Sequence, residues 1–207
     1  MHAVLEYMAA VTDVGHALLR AISLGLGLDE AWFDRHLTAS PTVLFRIFKY
    51  PPLGEAEGRT KWSVGEHTDY GLITILAQDA VGGLEVRSRD GWVAAPPIAD
   101  AFVVNLGDML ERMTGGAYRS TPHRVRNTSA GERYSFPLFL DPAWDAEVLP
   151  VPHVSARHAS SSGRRVQDDE MDRWDGVSVH DWSGTYGDYL LAKVVKVFPV
   201  LSDDVIV

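Results

Sequence analysis

The sequence predicts a mainly-β domain of sandwich or barrel type with helices flanking it. Two observations carry this. Between Thr42 and Asp141 the chain reads as about eight short strands separated by turn residues every 8–12 positions. On either side the apolar period lengthens to that of a helix.

The elements follow in order. Val4, Met8, Val11, Gly15, Leu18, Leu19, Ile22 and Leu26 form one stripe, so residues 4–26 read as an amphipathic helix that Gly25 and Gly27 stop. Asp29 is placed to cap a short helix from Glu30 to Leu37. Thr42 to Tyr50 is rich in β-branched and aromatic residues and reads as one strand ended by Pro51-Pro52. Further strands are expected near 64–68, 72–77, 84–87, 92–94, 101–106, 122–127 and 132–140. Gly82-Gly83, Arg89-Asp90-Gly91 and Thr128 to Gly131 supply turns, and 107–113 has room for a helical turn. Residues 153–182, rich in Ser, Arg and Asp, read as a long polar loop. Thr185-Tyr186-Gly187-Asp188 resembles a capping box opening a helix whose apolar face is Tyr189, Leu190, Val194, Val197 and Phe198. The expected division is a helical segment over 1–40, a β-core over 41–152, the polar loop over 153–182 and a closing helix over 183–207, all in one domain.

Composition narrows the chemistry. With no cysteine in 207 residues, disulfides, thiolate metal sites and cysteine nucleophiles are excluded, so a metal must be held by nitrogen and oxygen. A formal charge of −9 argues against a dedicated nucleic-acid binder. No apolar run approaches the ~20 residues of a membrane helix. Met1-His2-Ala3-Val4-Leu5-Glu6 has no basic region followed by an apolar core, so a cytoplasmic protein is expected.

Three residues stand out as metal ligands. His67 and Asp69 are two apart on a strand and reach one point, and His123 offers a second imidazole in another strand. Two histidines and a carboxylate match the facial triad of non-haem iron(II). Arg133 and Ser135, again two apart, fit a receptor for a distal carboxylate. Placed on an inward face with Phe136, Leu138 and Leu140, Arg133 is expected partly buried and in need of an anion. Other residues take plainer readings. His16 and His36 read as structural or exposed, and His153, His158 and His180 lack a carboxylate at strand spacing. Trp62 and Trp92 read as core or hairpin packing, Asp108 as a cap for the turn after Gly107, and Arg119 and Arg126 as surface charges.

The motifs taken together are more specific. His67-Thr68-Asp69-Tyr70-Gly71-Leu72-Ile73-Thr74-Ile75-Leu76, then Gly82-Gly83-Leu84-Glu85-Val86, Val103-Val104-Asn105-Leu106-Gly107-Asp108, Ser120-Thr121-Pro122-His123-Arg124-Val125 and Arg133-Tyr134-Ser135 resemble the iron(II)- and 2-oxoglutarate-dependent dioxygenases, in the isopenicillin N synthase-like branch. The resemblance covers roughly 42–142, with a weaker echo at 185–190. It implies a double-stranded β-helix, or jelly roll, with His67, Asp69 and His123 on iron(II) and Arg133 and Ser135 on the C5 carboxylate of 2-oxoglutarate. It also places Tyr50 where a hydrogen bond to that co-substrate is expected. The implied activity is oxidation of a small molecule by O2, with succinate and CO2 as co-products. Two alternatives stay open: an oxoacid-independent iron oxidase of isopenicillin N synthase type, and a non-catalytic remnant of the family. A cupin-like barrel with zinc or manganese would leave Arg133 and Ser135 without a role. Family members usually carry an N-terminal module ahead of the long helix. Its absence before Met1 would uncover a sheet edge or apolar face and favour self-association.

Overall fold

In the computed structural model, which describes residues 2–52, 62–152 and 178–197, a 24-residue helix α1 (His2–Gly25) lies against one of two facing antiparallel sheets. Val11, Gly15, Leu19 and Ser23, spaced by four, are its buried stripe. The short α2 (Trp32–His36) docks on it through Asp34, which accepts from His16 Nδ1 at 2.9 Å. The strands in chain order are β1 (Thr42–Phe45), β2 (Phe48–Tyr50), β3 (Val64–His67), β4 (Ile73–Gln78), β5 (Leu84–Ser88), β6 (Gly91–Ala94), β7 (Val103–Leu106), β8 (His123–Val125) and β9 (Arg133–Asp141). The larger sheet runs β1-β9-β4-β7, with β2 also on β9, and the smaller runs β3-β8-β5-β6. Two facing antiparallel sheets of this kind form a jelly-roll core.

The expected single strand 42–50 is two strands in one unbroken register. Thr42 pairs with Asp141 and Phe45 with Leu138, and Phe48 then pairs with Ser135 and Tyr50 with Arg133. The assignment breaks at Arg46 and Ile47 because Arg46 lies opposite Pro137, which has no N–H to give. Arg46 N still donates to Pro137 O at 3.1 Å.

β9 is buried on both faces, and this corrects the expected company of Arg133. Alternation puts Leu138 and Leu140 on one face, where they join Ile73, Ile75, Val11 and Leu19 beneath α1. Arg133 and Ser135 are on the other face, which looks into the space between the sheets. That space holds a second apolar cluster of Tyr50, Leu76, Leu84 and Val125, with Phe48, Val64 and Val103 packed on it.

The gap after β7 holds a helix, α3 (Asp108–Met113), and a 3-10 turn spans Val179–Asp181. The final helix α4 (Tyr186–Val197) opens with a reciprocal cap: Thr185 Oγ1 donates to Asp188 Oδ2 at 2.7 Å, and Asp188 N donates back to Thr185 Oγ1 at 3.2 Å. Its inner face differs from the expected one. Tyr186, Tyr189 and Lys193 are buried, Leu190 and Val194 only partly so, and Val197 is 46% exposed. The aromatic side chains of Tyr186 and Tyr189 are drawn inward by buried carboxylates, which turns the helix off its purely apolar stripe. Phe198, His153, His158 and most of the polar loop lie outside the described residues. Among the described residues no helix is long and apolar enough to cross a membrane.

Candidate metal centre

β3 and β8 pair antiparallel with His67 directly opposite His123, so both imidazoles leave the same face and their ring centroids lie 4.2 Å apart. Asp69 follows β3 by two residues, and its Oδ1 is 3.7 Å from His123 Nε2. One donor atom from each of the three lies within 4.8 Å of the others. Each ring is held from behind by the carbonyl two residues earlier: His67 Nδ1 by Gly65 O at 2.8 Å and His123 Nδ1 by Thr121 O at 3.1 Å. A carbonyl can only accept, so the proton sits on Nδ1 and the Nε2 lone pair points into the cluster. Burial, and then the neighbouring His123, push the His67 imidazole below its ordinary value, which favours the neutral form a metal requires. Asp69 Oδ2 accepts from Asn105 Nδ2 at 3.3 Å, leaving Oδ1 toward the histidines.

The loop carrying Asp69 is clamped by the start of α3. Asp108 N donates to Asp69 O at 2.8 Å, Met109 N to Gly71 O at 3.0 Å, and Gly107 N to Leu72 O at 2.8 Å. Asp108 does not cap its helix: no side-chain cap bond forms, and its buried carboxylate instead accepts from Tyr189 OH at 2.7 Å. Gly71 is required by a close approach, since a Cβ there would overlap the Asp141 carboxyl group. Tyr186 OH donates to that same carboxyl group. Full burial, together with the charge of Asp69, raises the Asp141 carboxyl to about 7.

Arg133 is completely buried, and its guanidinium lies 4.8 Å from the Tyr50 ring centroid. Its Nε donates to Gly82 O and its second terminal nitrogen to Gln78 Oε1 at 3.1 Å. The remaining nitrogen, Nη1, is buried with no hydrogen-bond partner among the described residues. Tyr50 OH and Ser135 Oγ share a hydrogen bond of 3.2 Å. A buried cation with an orphaned donor beside two hydroxyls is the donor set that a carboxylate completes. The iron and oxoacid that the sequence implies therefore both find fitting residues. Gly82 and Gly83 stand at φ of +80° and +88°, which allows the Gly82 carbonyl to reach Arg133; a Cβ on Gly83 would collide with Arg126 O.

Among the sequence-named residues, the structure thus gathers His67, Asp69 and His123 into one cluster and Arg133, Ser135 and Tyr50 into another. Asn105, Gln78 and the Gly82 carbonyl join them without having been expected there. Their detectable signal is a polar residue in an otherwise apolar strand, close to Val103 for Asn105 and to Leu76 for Gln78. Trp62 and Trp92 are not core residues: their rings sandwich Arg124 at 3.8 Å each on the outer face of the small sheet, behind His123, and Arg124 Nε donates to Glu85 at 2.7 Å. His180 finds a carboxylate through the fold, with its Nε2 3.6 Å from Glu111 Oε1.

Comparison with known proteins agrees with this construction. The family model of the 2OG-Fe(II) oxygenase superfamily matches residues 41–142. A Dictyostelium discoideum protein named "Probable iron/ascorbate oxidoreductase" is 44% identical over 98% of this chain, and a 1-aminocyclopropane-1-carboxylate oxidase of the same organism is 34% identical over 93%. The chain spans 58% of the length of each of these relatives. The crystal structure of a 2OG-Fe(II) oxygenase family protein from Caulobacter crescentus superposes with a TM-score of 0.73 at 28% identity, covering 95% of this chain and 59% of that one. With the jelly roll and both residue clusters in place, the chain belongs to the 2OG-Fe(II) oxygenase superfamily.

Proposed function

We propose that this protein is an iron(II)- and 2-oxoglutarate-dependent oxygenase acting on a small molecule, with His67, Asp69 and His123 as the iron ligands and Arg133, Ser135 and Tyr50 holding the oxoacid. The single observation that carries the oxoacid half is the orphaned Nη1 of fully buried Arg133. A buried guanidinium satisfied only by a carbonyl and an amide is costly until an anion joins it. When bound, iron with 2-oxoglutarate supplies the O2 activation that oxidises substrate and releases succinate and CO2.

This chain's residues do the positioning. Gly65 O and Thr121 O fix the histidine tautomers, so both Nε2 lone pairs are available without a proton leaving. Asn105 holds one oxygen of Asp69 and thereby directs the other. Gln78 and Gly82 orient the Arg133 fork, and the Tyr50 and Ser135 hydroxyls present hydrogen-bonding partners beside it. Leu76, Phe48, Val103 and Leu84 line the space between the sheets and keep it dry.

Incubating the iron-loaded protein with 2-oxoglutarate under air tests the reading. Succinate should form slowly without substrate, and should disappear in His67→Ala and Asp69→Ala. No succinate above the level of those variants would remove the proposal. Ascorbate-driven O2 consumption without oxoacid would point to the oxoacid-independent iron oxidase instead.

A further inference from the structure

We propose that Arg46 is a specificity-determining residue that binds a carboxylate of the substrate, so that the substrate is a small organic acid with an apolar body. This rests on the oxygenase reading above and adds the substrate class to it. The register of β1 and β2 on β9 is unbroken, so Leu44, Arg46, Phe48 and Tyr50 share the strand face that looks into the space between the sheets. The inward course of that face is fixed by Phe48 and Tyr50, which pack in the inter-sheet cluster and stack with ring centroids 5.9 Å apart. The guanidinium of Arg46 lies 6.0 Å from the Phe48 ring centroid, on that same side.

Across the larger sheet this face forms rows. Leu44 pairs with Phe139, Phe139 with Thr74 and Thr74 with Asn105, the residue that holds Asp69. Phe48 pairs with Ser135 and Tyr50 with Arg133, the oxoacid cluster. Arg46, opposite Pro137, falls between the metal row and the oxoacid row. Unlike Arg133 it is exposed, and among the described residues it has no carboxylate partner, whereas Lys49, three residues on and on the other face of the strand, is engaged by Glu132. Leu44, 44% exposed on the same face, offers an apolar surface beside it. A planar fork of N–H donors beside exposed apolar side chains suits a carboxylate on a hydrocarbon body.

The test uses the iron(II)-loaded protein with saturating 2-oxoglutarate, without O2. Calorimetric titration compares 3-phenylpropanoate, hexanoate and cyclohexanecarboxylate with their primary amides. At least one acid should bind, with its amide about tenfold or more weaker. Arg46→Gln should weaken that acid by about ten- to a hundredfold and leave 2-oxoglutarate affinity unchanged, with Arg46→Lys in between. Equal binding of acid and amide, no acid binding to the wild type, or an acid preference that survives in Arg46→Gln would overturn the assignment. If 2-oxoglutarate itself does not bind, the oxygenase reading fails separately, and the acid–amide comparison on the iron-loaded protein still decides Arg46.

Discussion

Replacing Arg133 by Gln removes the only part of the oxoacid cluster that carries charge. In the wild type, Nε and one terminal nitrogen are held by Gly82 O and Gln78 Oε1, so Nη1 is the donor left for a ligand. Losing a charge-assisted contact to a desolvated carboxylate costs about 2–5 kcal/mol, or roughly 30- to 5,000-fold in affinity. The cleanest readout is thermal stabilisation by ligand rather than absolute Tm, because Arg133→Gln also loses two buried hydrogen bonds. With 2-oxoglutarate at about 100 times the wild-type Kd, binding stabilises the native state by about 2.7 kcal/mol. For a chain of 207 residues that corresponds to a Tm rise of about 5–11 °C. At the same concentration the variant should gain less than about 1 kcal/mol and therefore less than about 4 °C. Scanning fluorimetry of metal-loaded protein without O2 reads both shifts, and metal content measured beforehand should be the same. An unchanged ligand-induced shift in Arg133→Gln would refute the placement of the oxoacid carboxylate.

Three further outcomes follow from the site. Asn105→Ala should weaken iron binding by about ten- to a hundredfold, as measured by competition with a chelator, because Asp69 Oδ2 loses the donor that directs it. Gly71→Ala should lower Tm markedly or prevent folding, since the added methyl would overlap the Asp141 carboxyl group; circular dichroism melts of the two proteins check this. In the metal-free protein the Asp141 carboxyl is raised from an ordinary value near 4 to about 7, so the folded state binds the extra proton between those values. The stability from that proton is full below about pH 4 and lost as pH rises through 7, at up to about 1.4 kcal/mol per pH unit. Denaturant melts of the wild type from pH 4 to 8 should show this decline, and Asp141→Asn should flatten it.

Much of the centre is legible in the sequence because strand chemistry is local. Arg133 and Ser135, two apart within β9, are paired by the strand period alone, whereas β3 ends at His67 and Asp69 reaches the same cluster from the loop that follows, not from a strand as expected. What escapes depends on which strands become neighbours. Nothing in the run 42–50 says that Arg46 will face Pro137, yet that one missing N–H divides the strand. Alternation within β9 by itself separates Arg133 and Ser135 from Phe136, Leu138 and Leu140; what escapes is the cover on each face, since both are buried, one by α1 and one by the opposite sheet. Asp108 reads as a cap since a polar residue after Gly107 normally is one, but Tyr189, 81 positions away, claims its carboxylate. Trp62 and Trp92 are apolar by composition and read as packing; only the fold brings Arg124 between them. In α4 the stripe of aliphatic residues is outweighed by Tyr186 and Tyr189, whose hydroxyls satisfy Asp141 and Asp108 inside the protein.

The most direct test of the oxygenase reading is optical absorption of the protein titrated with iron(II) and then 2-oxoglutarate in the absence of O2. Chelation of the iron by the oxoacid should raise a weak visible charge-transfer band that saturates at one equivalent of each. The band should vanish in His67→Ala and need far more oxoacid in Arg133→Gln. A protein that binds iron(II) but shows no such band at any 2-oxoglutarate concentration, or one whose band persists in His67→Ala, would contradict it.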